Sequence, residues 1–271
     1  MGDPLRDRTG GCRTSRRPHA LGPGGRGLTF GRGLPLAIAL PLVLVIVGCG
    51  GSTSTLSDSG PIVGQIPWTA PETTHYRLLR DDDAIGTADL RIAGESGGTL
   101  TFTQDYDFPD QKIKDSVEAT TESQTLQPRS AKRTIDGPEG KRTWDARYEG
   151  AKATIEQHSE KEQRTDTLNI PRGSYDTWTD IFLWRTIAFS RDYQSTYQDA
   201  LTCTLGKPDI VSVALKVTGK ESVTVPAGTF DAWRLEIRSG GKTQTAWYAD
   251  NAIRTLIRYD NTDLVFELQP A

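Results

Sequence analysis

The sequence has few of the residues that usually carry metal or thiol chemistry. Its 271 residues include 3 Cys and 3 His. Neither His75 nor His158 has a neighbour at the spacing expected for a zinc ligand set. Motifs for a nucleophilic serine elbow, a phosphate-binding loop or a dinucleotide fingerprint are also absent. The sequence therefore predicts no metal, no cofactor and no enzyme, and only acidic side chains that meet in the folded chain could supply catalytic groups.

Long apolar runs are scarce too, and the main one covers residues 34–49. Seven Arg and two Asp precede it, and it ends in Ile46-Val47-Gly48-Cys49. A basic start, a short apolar stretch and a small residue at its end are typical of a secretory signal. A transmembrane helix needs about 20 apolar residues, whereas this run is shorter and contains Pro35 and Pro41. We therefore predict that residues 1–48 are a cleaved signal peptide.

The end of this run, from Ile46 to Cys49, resembles the lipobox of bacterial lipoproteins. In that family the cysteine thiol receives a diacylglyceryl group, and the chain is cut just before the cysteine. The resemblance implies cleavage between Gly48 and Cys49 and lipid attachment at Cys49. The protein would then be extracytoplasmic and lipid-anchored to a bacterial cell membrane. The alternatives are a retained transmembrane anchor and a cleaved signal whose cysteine carries no lipid.

Charge and cysteine content limit what the exported part can do. Loss of residues 1–48 would change the formal net charge from −3 to −8, because seven Arg and two Asp are removed. An acidic chain of this kind disfavours nucleic acid as a partner. With Cys49 lipidated, Cys203 has no cysteine partner for an internal disulfide. The sequence around Cys203 predicts a buried strand thiol, with a reactive nucleophile as the alternative.

Beyond the signal, the pattern predicts a polar tether over residues 49–71 and a single domain over residues 72–271. The tether is suggested by small polar residues that bury little apolar surface. The domain is suggested by short alternating runs, separated by turn signals every 8–14 residues or so. The fold class predicted is mainly β, a curved antiparallel sheet that is barrel-like or half-barrel and wraps one amphipathic helix.

Several hairpins can be placed from local signals. Asp81, Asp82 and Asp83 separate two alternating runs, and we interpret them as a solvated turn in preference to a calcium site. Gly150 separates another pair of runs. Near the C-terminus, Thr243, Thr245 and Trp247 are expected on one face of a strand, opposite Gln244 and Tyr248.

Residues 174–189 break the period of two and predict the helix. Ser174 is suited to cap its start, and the apolar side chains fall in one arc at 100° per residue or so. Thr179, Asp180 and Thr186 fall on the opposite side and are expected to face away from the sheet. The apolar arc is interpreted as core, with a ligand pocket as the alternative. Its candidate residues are Trp178, Ile181, Phe182 and Trp184.

The stretch Gly219–Leu235, with Val-Pro-Ala-Gly-Thr-Phe at residues 225–230, resembles the DUF3108 family of bacterial envelope proteins. The early hairpin with Gly86-Thr-Ala is similar to that family's start. The resemblance implies a curved antiparallel sheet that wraps a helix, and it implies no catalytic residues. In the residues themselves, Pro226 suits a strand end and Gly228 suits a turn with a positive φ.

Two functions are compatible with these patterns. The first is a non-catalytic binding module for an apolar or envelope ligand, held in a pocket between the sheet and the helix. The second is a structural or interaction protein of the cell envelope with a filled core and no small-molecule ligand. The expected partners are the membrane, through the N-terminal lipid, and an apolar ligand or an envelope protein. A cavity beside residues 175–189 would favour the first function, and a filled interior would favour the second.

Overall fold

The computed structural model describes residues 62–271. The predicted signal peptide, Gly48, Cys49 and the first part of the tether lie outside the described residues. Within residues 62–271, every helix is too short or too polar to cross a bilayer.

Residues 72–268 contribute fifteen strands to one sheet. The first eight are β1 Glu72–Arg80, β2 Asp83–Ile92, β3 Thr99–Phe108, β4 Ile113–Glu122, β5 Pro128–Asp136, β6 Arg142–Glu149, β7 Lys152–Ser159 and β8 Gln163–Asn169. The other seven are β9 Tyr175–Asp176, β10 Gln194–Leu201, β11 Asp209–Val225, β12 Gly228–Ser239, β13 Lys242–Ala249, β14 Leu256–Asp260 and β15 Val265–Leu268.

The strand order follows the chain in two runs. β1 to β8 pair successively, as do β10 to β15, and all of these pairs are antiparallel. β1 also pairs with β15, which joins the two runs into one sheet. The two-residue β9 adds the only parallel pair of this sheet, beside β10. The prediction of a mainly β fold with a curved antiparallel sheet is confirmed.

The locally encoded turns have the expected backbone geometry. Asp81 and Asp82 have φ values of 51° and 68°, as in the tight turns that match strand twist. Both side chains are exposed, as expected for a solvated turn. Gly150 joins β6 to β7 with φ of 60°, and Gly228 opens β12 with φ of 132°.

On β13, Trp247 and Tyr248 lie on opposite faces of the sheet, as the alternation predicts. Ala246 and Tyr248 are buried in the main core, whereas Trp247 packs on the other face. There it joins a smaller apolar cluster with Val223 and Val225. The register of β11 shifts at Thr218, so that β11 carries its apolar residues on different faces before and after that point.

The chain packs into the core earlier than the predicted tether boundary at residue 71. Ile62 and Trp68 are 4% and 7% exposed. The Trp68 ring lies edge-on to Phe102 with 5.9 Å between ring centroids. Residues 62–71 therefore belong to the folded part, because their apolar side chains fill the main core beside the sheet.

Residues 174–189 do not form one helix, which corrects the prediction. The segment contains a 3₁₀ turn at Thr177–Thr179, a single α-helical turn, α1, at Asp180–Leu183, and a second 3₁₀ turn at Trp184–Thr186. We refer to residues 177–186 as the plug segment. Asp176, and not Ser174, caps its start by accepting from the amide of Trp178 at 2.9 Å.

Side chains of the sheet replace the helical hydrogen bonds of the plug segment. Gln104 on β3 donates to the carbonyl oxygen of Trp178, and Tyr248 on β13 donates to that of Ile181 at 2.8 Å. Arg254 donates to the carbonyl oxygen of Arg185 at 3.0 Å. Backbone groups of a buried segment must be paired. Here side chains of β3 and β13, together with Arg254 in the loop between β13 and β14, pair them, so a longer helix is not required.

Candidate functional site

A cavity of about 330 Å³ lies between the sheet and the plug segment. Its walls combine aromatic rings with carboxyl and amide groups. Of residues 62–271, none that lines this cavity is Lys, Arg or His. The residues that line it include Gln104, Tyr106, Trp178, Asp180, Trp184, Asp199, Ser239, Gln244, Tyr259 and Phe266.

Strand alternation brings one carboxyl group into this space. Tyr197 and Asp199 are two residues apart on β10, so their side chains share the inner face of the sheet. Each is 2% exposed. The second carboxyl group comes from Asp180, the first residue of α1, which is 7% exposed. The two carboxyl groups of the site thus come from one strand and from the plug segment that covers it.

Tyr197 fixes the position of Asp180. The indole Nε1 of Trp184 donates to the hydroxyl oxygen of Tyr197 at 2.9 Å, and that hydroxyl donates to Oδ1 of Asp180 at 2.7 Å. Both hydrogen bonds are buried. One side of the Asp180 carboxyl group is therefore held in place, and only its other side can interact with Asp199.

The carboxyl groups of Asp180 and Asp199 lie within hydrogen-bonding reach of each other. Burial raises the pKa of Asp180 well above its usual range, while the hydrogen bond from Tyr197 opposes that rise. Burial also raises the pKa of Asp199, and the charge of Asp180 adds to the effect. Two carboxylates this close cannot both ionise easily. Protons are therefore held more firmly by this pair than by aspartates in solvent.

Two polar atoms of the cavity walls lack partners. Within residues 62–271, neither Oδ1 of Asp199 nor Nε1 of Trp178 has a hydrogen-bond partner. Buried polar atoms in native proteins are nearly always paired, and exceptions call for a bound water, a ligand or a functional role. A water-sized molecule reaches neither atom, so neither is presented to the cavity.

Asp176 belongs to a separate and fully paired network. Its carboxylate accepts from the amide of Trp178, from Thr202 Oγ1 at 2.8 Å and from the hydroxyl of Tyr148. Burial raises the pKa of Asp176, although these three hydrogen bonds act to lower it. Asp176 therefore ties the plug segment to β6 and to the end of β10, and it has no free oxygen for a ligand.

The four candidate residues from the sequence occupy different places. Trp178, Ile181 and Trp184 line the cavity, whereas Phe182 does not. The ring of Phe182 stacks on Phe102 with 4.6 Å between centroids, inside the main core. Ile181, Phe182 and Trp184 are buried, and Trp178 is half-buried.

Sequence reasoning missed the two carboxyl groups of the site. Thr179, Asp180 and Thr186 were expected on the side away from the sheet, but all three are buried, because both the sheet and residues 62–71 pack against the plug segment. Asp199 could have been found from the alternation of β10, since it occupies an inward position beside Tyr197.

The residues considered for thiol or imidazole chemistry lie outside the cavity. Cys203 is buried just after β10, not within a strand, and burial raises the pKa of its thiol to about 12. His75 is exposed and pairs with Asp89 at 2.7 Å, and His158 is exposed. Among residues 62–271, His, Cys, Asp and Glu side chains do not group in threes as they would around a metal ion.

The pair of Asp180 and Asp199 leads to a prediction about how stability depends on pH. Burial raises the pKa of Asp199 in the folded chain above the value of about 3.9 expected in the unfolded chain. The folded state then holds more protons than the unfolded state between these two pKa values, so stability falls as pH rises through that range. An Asn side chain cannot ionise and can still donate to Asp180. We expect Asp199→Asn to raise the free energy of unfolding at neutral pH by roughly 1–3 kcal/mol.

Thermal unfolding of the full-length protein across pH checks this expectation. The advantage of Asp199→Asn over the wild type should shrink as the pH falls towards about 4. Asp263→Asn is the matched control, because Asp263 is exposed and pairs with Lys242 on the surface. An advantage of Asp199→Asn that stays constant with pH would show that ionisation of this residue is not the cause.

Comparisons with known proteins show the family and leave the site without an assigned role. The sequence profile of a family described as "Protein of unknown function (DUF3108)" matches residues 85–266, which confirms the resemblance inferred from residues 219–235. Among curated proteins, none matches this sequence.

Two solved structures of low sequence identity were compared with the chain. One is a beta-barrel-like protein of the DUF1849 domain from Brucella abortus, with 14% identity and a TM-score of 0.46 over 78% of this chain and 98% of that one. The other is a protein with a YmcC-like fold from Bacteroides fragilis, with 10% identity and a TM-score of 0.30 over 77% of this chain and 98% of that one.

Proposed function

Because this chain belongs to the DUF3108 family, whose description names no activity, we propose a function from the site itself. We propose that the protein is an extracytoplasmic, lipid-anchored and non-catalytic binding module, and that its ligand occupies the cavity beside the plug segment. The observation that carries the proposal is the cavity of about 330 Å³ between the sheet and the plug segment, which has aromatic, amide and carboxyl side chains among its walls.

The size and lining of the cavity support ligand binding. Small-molecule sites are concave, have volumes of roughly 300–1,000 Å³, and combine apolar walls with a few polar groups. The observed cavity of about 330 Å³ is at the small end of this range and has aromatic walls with two carboxyl groups. A structural protein with a filled core, the alternative considered above, would not leave a cavity of this size between the sheet and the plug segment.

The lining also narrows the kind of ligand. A wholly apolar ligand, such as an acyl chain, would cover polar groups of the walls, such as Gln104 and Asn261, without offering them hydrogen bonds. A small ligand with both apolar and polar parts fits the walls better. The proposal therefore favours an envelope ligand of mixed polarity over a purely apolar one.

The carboxyl pair does not favour a glycan hydrolase. In such enzymes the two carboxyl groups flank the scissile bond, at separations of roughly 5–9.5 Å. Asp180 and Asp199 are within hydrogen-bonding reach of each other. A glycosidic bond cannot lie between them, and the pair is better suited to binding a ligand from one side.

The proposed anchor makes a prediction about location. Two or three acyl chains on Cys49 would hold the protein on a membrane, since each buried methylene contributes about 0.8 kcal/mol. We expect Cys49→Ser to move the protein from the membrane fraction to the soluble fraction or to block its processing. Cys12→Ser is the control, because Cys12 lies in the segment that would be removed. Membrane association that survives Cys49→Ser, with no acyl mass on the wild type, would contradict the anchor.

The proposed ligand makes a second prediction. Ser239 is the last residue of β12 and lines the cavity, so Ser239→Trp should fill the space near it. Native mass spectrometry of the full-length protein from its own host should show a bound small molecule in the wild type. The added mass should be absent from Ser239→Trp and present in the control Ser212→Trp, whose position is exposed on β11. A wild type that carries no added mass and takes none from a host extract would contradict a binding function.

A further inference from the structure

Strand β8 forms one edge of the sheet, and one of its sides is free. It pairs with β7 in an unbroken register and stands at the end of the strand order. On its other side, residues 62–271 supply neither a second strand nor a backbone hydrogen bond. Exposed edge strands present unpaired N–H and C=O groups that can pair with another strand. β8 is therefore an open pairing surface of 7 residues.

The hairpin of β7 and β8 defines which residues point their backbone groups outward. The amide of Ser159 donates to the carbonyl oxygen of Glu162, and the amide of Ile170 donates to that of Ala151. Hydrogen-bonded and non-hydrogen-bonded pairs alternate along an antiparallel ladder, so the even-numbered residues of β8 bond to β7. The odd-numbered residues direct their N–H and C=O groups away from β7, and all of them are exposed: Gln163, Thr165, Thr167 and Asn169.

The opposite edge of the sheet is protected in a way that β8 is not. It ends in β9, which has only 2 residues, both of them buried. Very short edge strands, prolines, lysines and bulges are common means by which proteins prevent edge pairing. The sequence of β8, Gln-Arg-Thr-Asp-Thr-Leu-Asn, contains neither Pro nor Lys. Its charged side chains are Arg164 and Asp166, so these two determine which strand can pair with it.

A second copy of β8 matches this edge in one register. Two antiparallel copies can be centred on any residue in the middle of the strand, Arg164, Thr165, Asp166 or Thr167. A centre at Arg164 or at Asp166 would place like charges directly opposite each other, which is unfavourable. A centre at Thr167 would place Asp166 opposite Leu168 and leave the charges unmatched. A centre at Thr165 places Arg164 of each copy opposite Asp166 of the other, in the pairs where side chains lie closest.

The two charged side chains have capacity for this contact. Nε of Arg164 lies 2.7 Å from Oδ2 of Asp166 within the strand, and Nη2 of Arg164 donates to the carbonyl oxygen of Gly206 at 3.4 Å. A guanidinium has five N–H groups, so further donors are left for a second acid. The side chains of Arg164 and Asp166 are 32% and 29% exposed. A second copy would extend one exposed pair, which contributes little alone, into a network of four alternating charges.

We propose that two copies of this chain associate through β8, antiparallel and centred on Thr165, so that the sheet continues from one copy into the other. Thr165 of each copy then exchanges main-chain hydrogen bonds with Thr165 of the other, and Gln163 does so with Thr167. In strand addition of this kind, main-chain hydrogen bonds supply affinity and side chains supply specificity. The inference does not depend on the cavity and goes beyond the binding function proposed above.

Cysteine cross-linking of the full-length protein in cells of its host tests the register. Opposite Cα atoms of a hydrogen-bonded pair are about 5.5 Å apart, a separation that a disulfide can span. Thr165→Cys should therefore give a disulfide-linked dimer on mild oxidation with copper phenanthroline. Asn169→Cys is the matched control, since it is exposed on the same edge, but its two copies would lie more than about 20 Å apart. Equal cross-linking of both variants, cross-linking of neither, or a cross-link to a different protein would overturn the inference.

Charge reversal tests the contact between Arg164 and Asp166. In sedimentation equilibrium of the full-length protein in density-matched micelles, Arg164→Asp and Asp166→Arg should each weaken dimerisation about tenfold or more, because like charges then face each other. An equimolar mixture of the two variants should dimerise again, since every acid then faces a base. Arg238→Asp is the matched control, because Arg238 pairs with Glu236 two residues away on β12, and it should change nothing.

The mixture also separates the contact from a loss of folding, because a variant that fails to fold cannot be rescued by the other. The double variant Arg164→Asp with Asp166→Arg keeps the pair within the strand and should dimerise as the wild type does. A wild type that stays monomeric at every protein concentration would overturn the inference. A dimer that neither charge reversal weakens, or a mixture that does not dimerise again, would overturn it as well.

Discussion

Replacement of Phe182 by alanine should lower the free energy of unfolding by about 3–5 kcal/mol. Phe182 is 3% exposed, and its ring stacks on Phe102 with 4.6 Å between centroids. Truncation would remove this contact and leave a cavity beneath the plug segment, where the surrounding sheet can close only in part. Domains have total stabilities near 5–15 kcal/mol, so the loss should be visible as a large fall in melting temperature.

Denaturant unfolding of the full-length protein measures this change directly. Leu205→Ala is the matched control, because Leu205 is 49% exposed and its truncation removes little buried surface. Trp178→Ala offers a second comparison, since Trp178 is half-buried and lines the cavity. We expect a smaller loss of stability for Trp178→Ala than for Phe182→Ala. A near-neutral Phe182→Ala variant would mean that the plug segment does not pack on β3.

Replacement of Glu72 by alanine should lower the free energy of unfolding by a similar amount, because it leaves the charge of Arg185 buried without its partner. Arg185 is 4% exposed, and its guanidinium is held by both carboxylate oxygens of Glu72 at 2.8 and 3.0 Å. It also lies over the ring of Trp68, 5.2 Å from the centroid. Glu72→Ala would leave the guanidinium without its counter-charge. Breaking a buried ion pair in this way typically costs about 3–5 kcal/mol.

A double variant separates the effect of the unpaired charge from the effect of lost packing. Glu72→Ala combined with Arg185→Met removes both charges, and it should be more stable than Glu72→Ala alone, because no unpaired charge stays buried. Asp263→Ala breaks an exposed pair with Lys242 and should cost less than about 1 kcal/mol. A double variant that is less stable than Glu72→Ala would argue that Arg185 contributes mainly through its other contacts, to Ile253 and Trp68.

The sequence by itself determined the features that depend on residues close together in the chain. The turn at Asp81 and Asp82, the hairpin around Gly150 and the positive φ of Gly228 follow from local backbone preferences. The alternation of apolar and polar residues, with a period of two, determined the mainly β class. The signal peptide and the lipid at Cys49 are also predictions from local sequence, and they stay predictions because they lie outside the described residues.

Only the tertiary structure decided which polar groups the interior contains. Asp180 seemed suited to a solvent-facing side of a helix, but its partner Tyr197 lies seventeen residues further along the chain. The carbonyl oxygens of the plug segment are likewise paired with Gln104 on β3 and Tyr248 on β13. A periodic pattern along one segment carries no information about partners that distant strands supply, so it predicted a long helix where one α-helical turn is enough.

Dependence on distant strands also explains why the carboxyl groups of the site were not predicted. Asp180 and Asp199 come together only because the plug segment packs against β10. Each residue alone resembles an ordinary surface aspartate in the sequence. Burial and mutual proximity raise their pKa values, and both effects arise from the packing of elements that are separate in the chain. Local sequence therefore determined the strands and turns, whereas the charge and shape of the cavity depend on how the sheet surrounds residues 177–186.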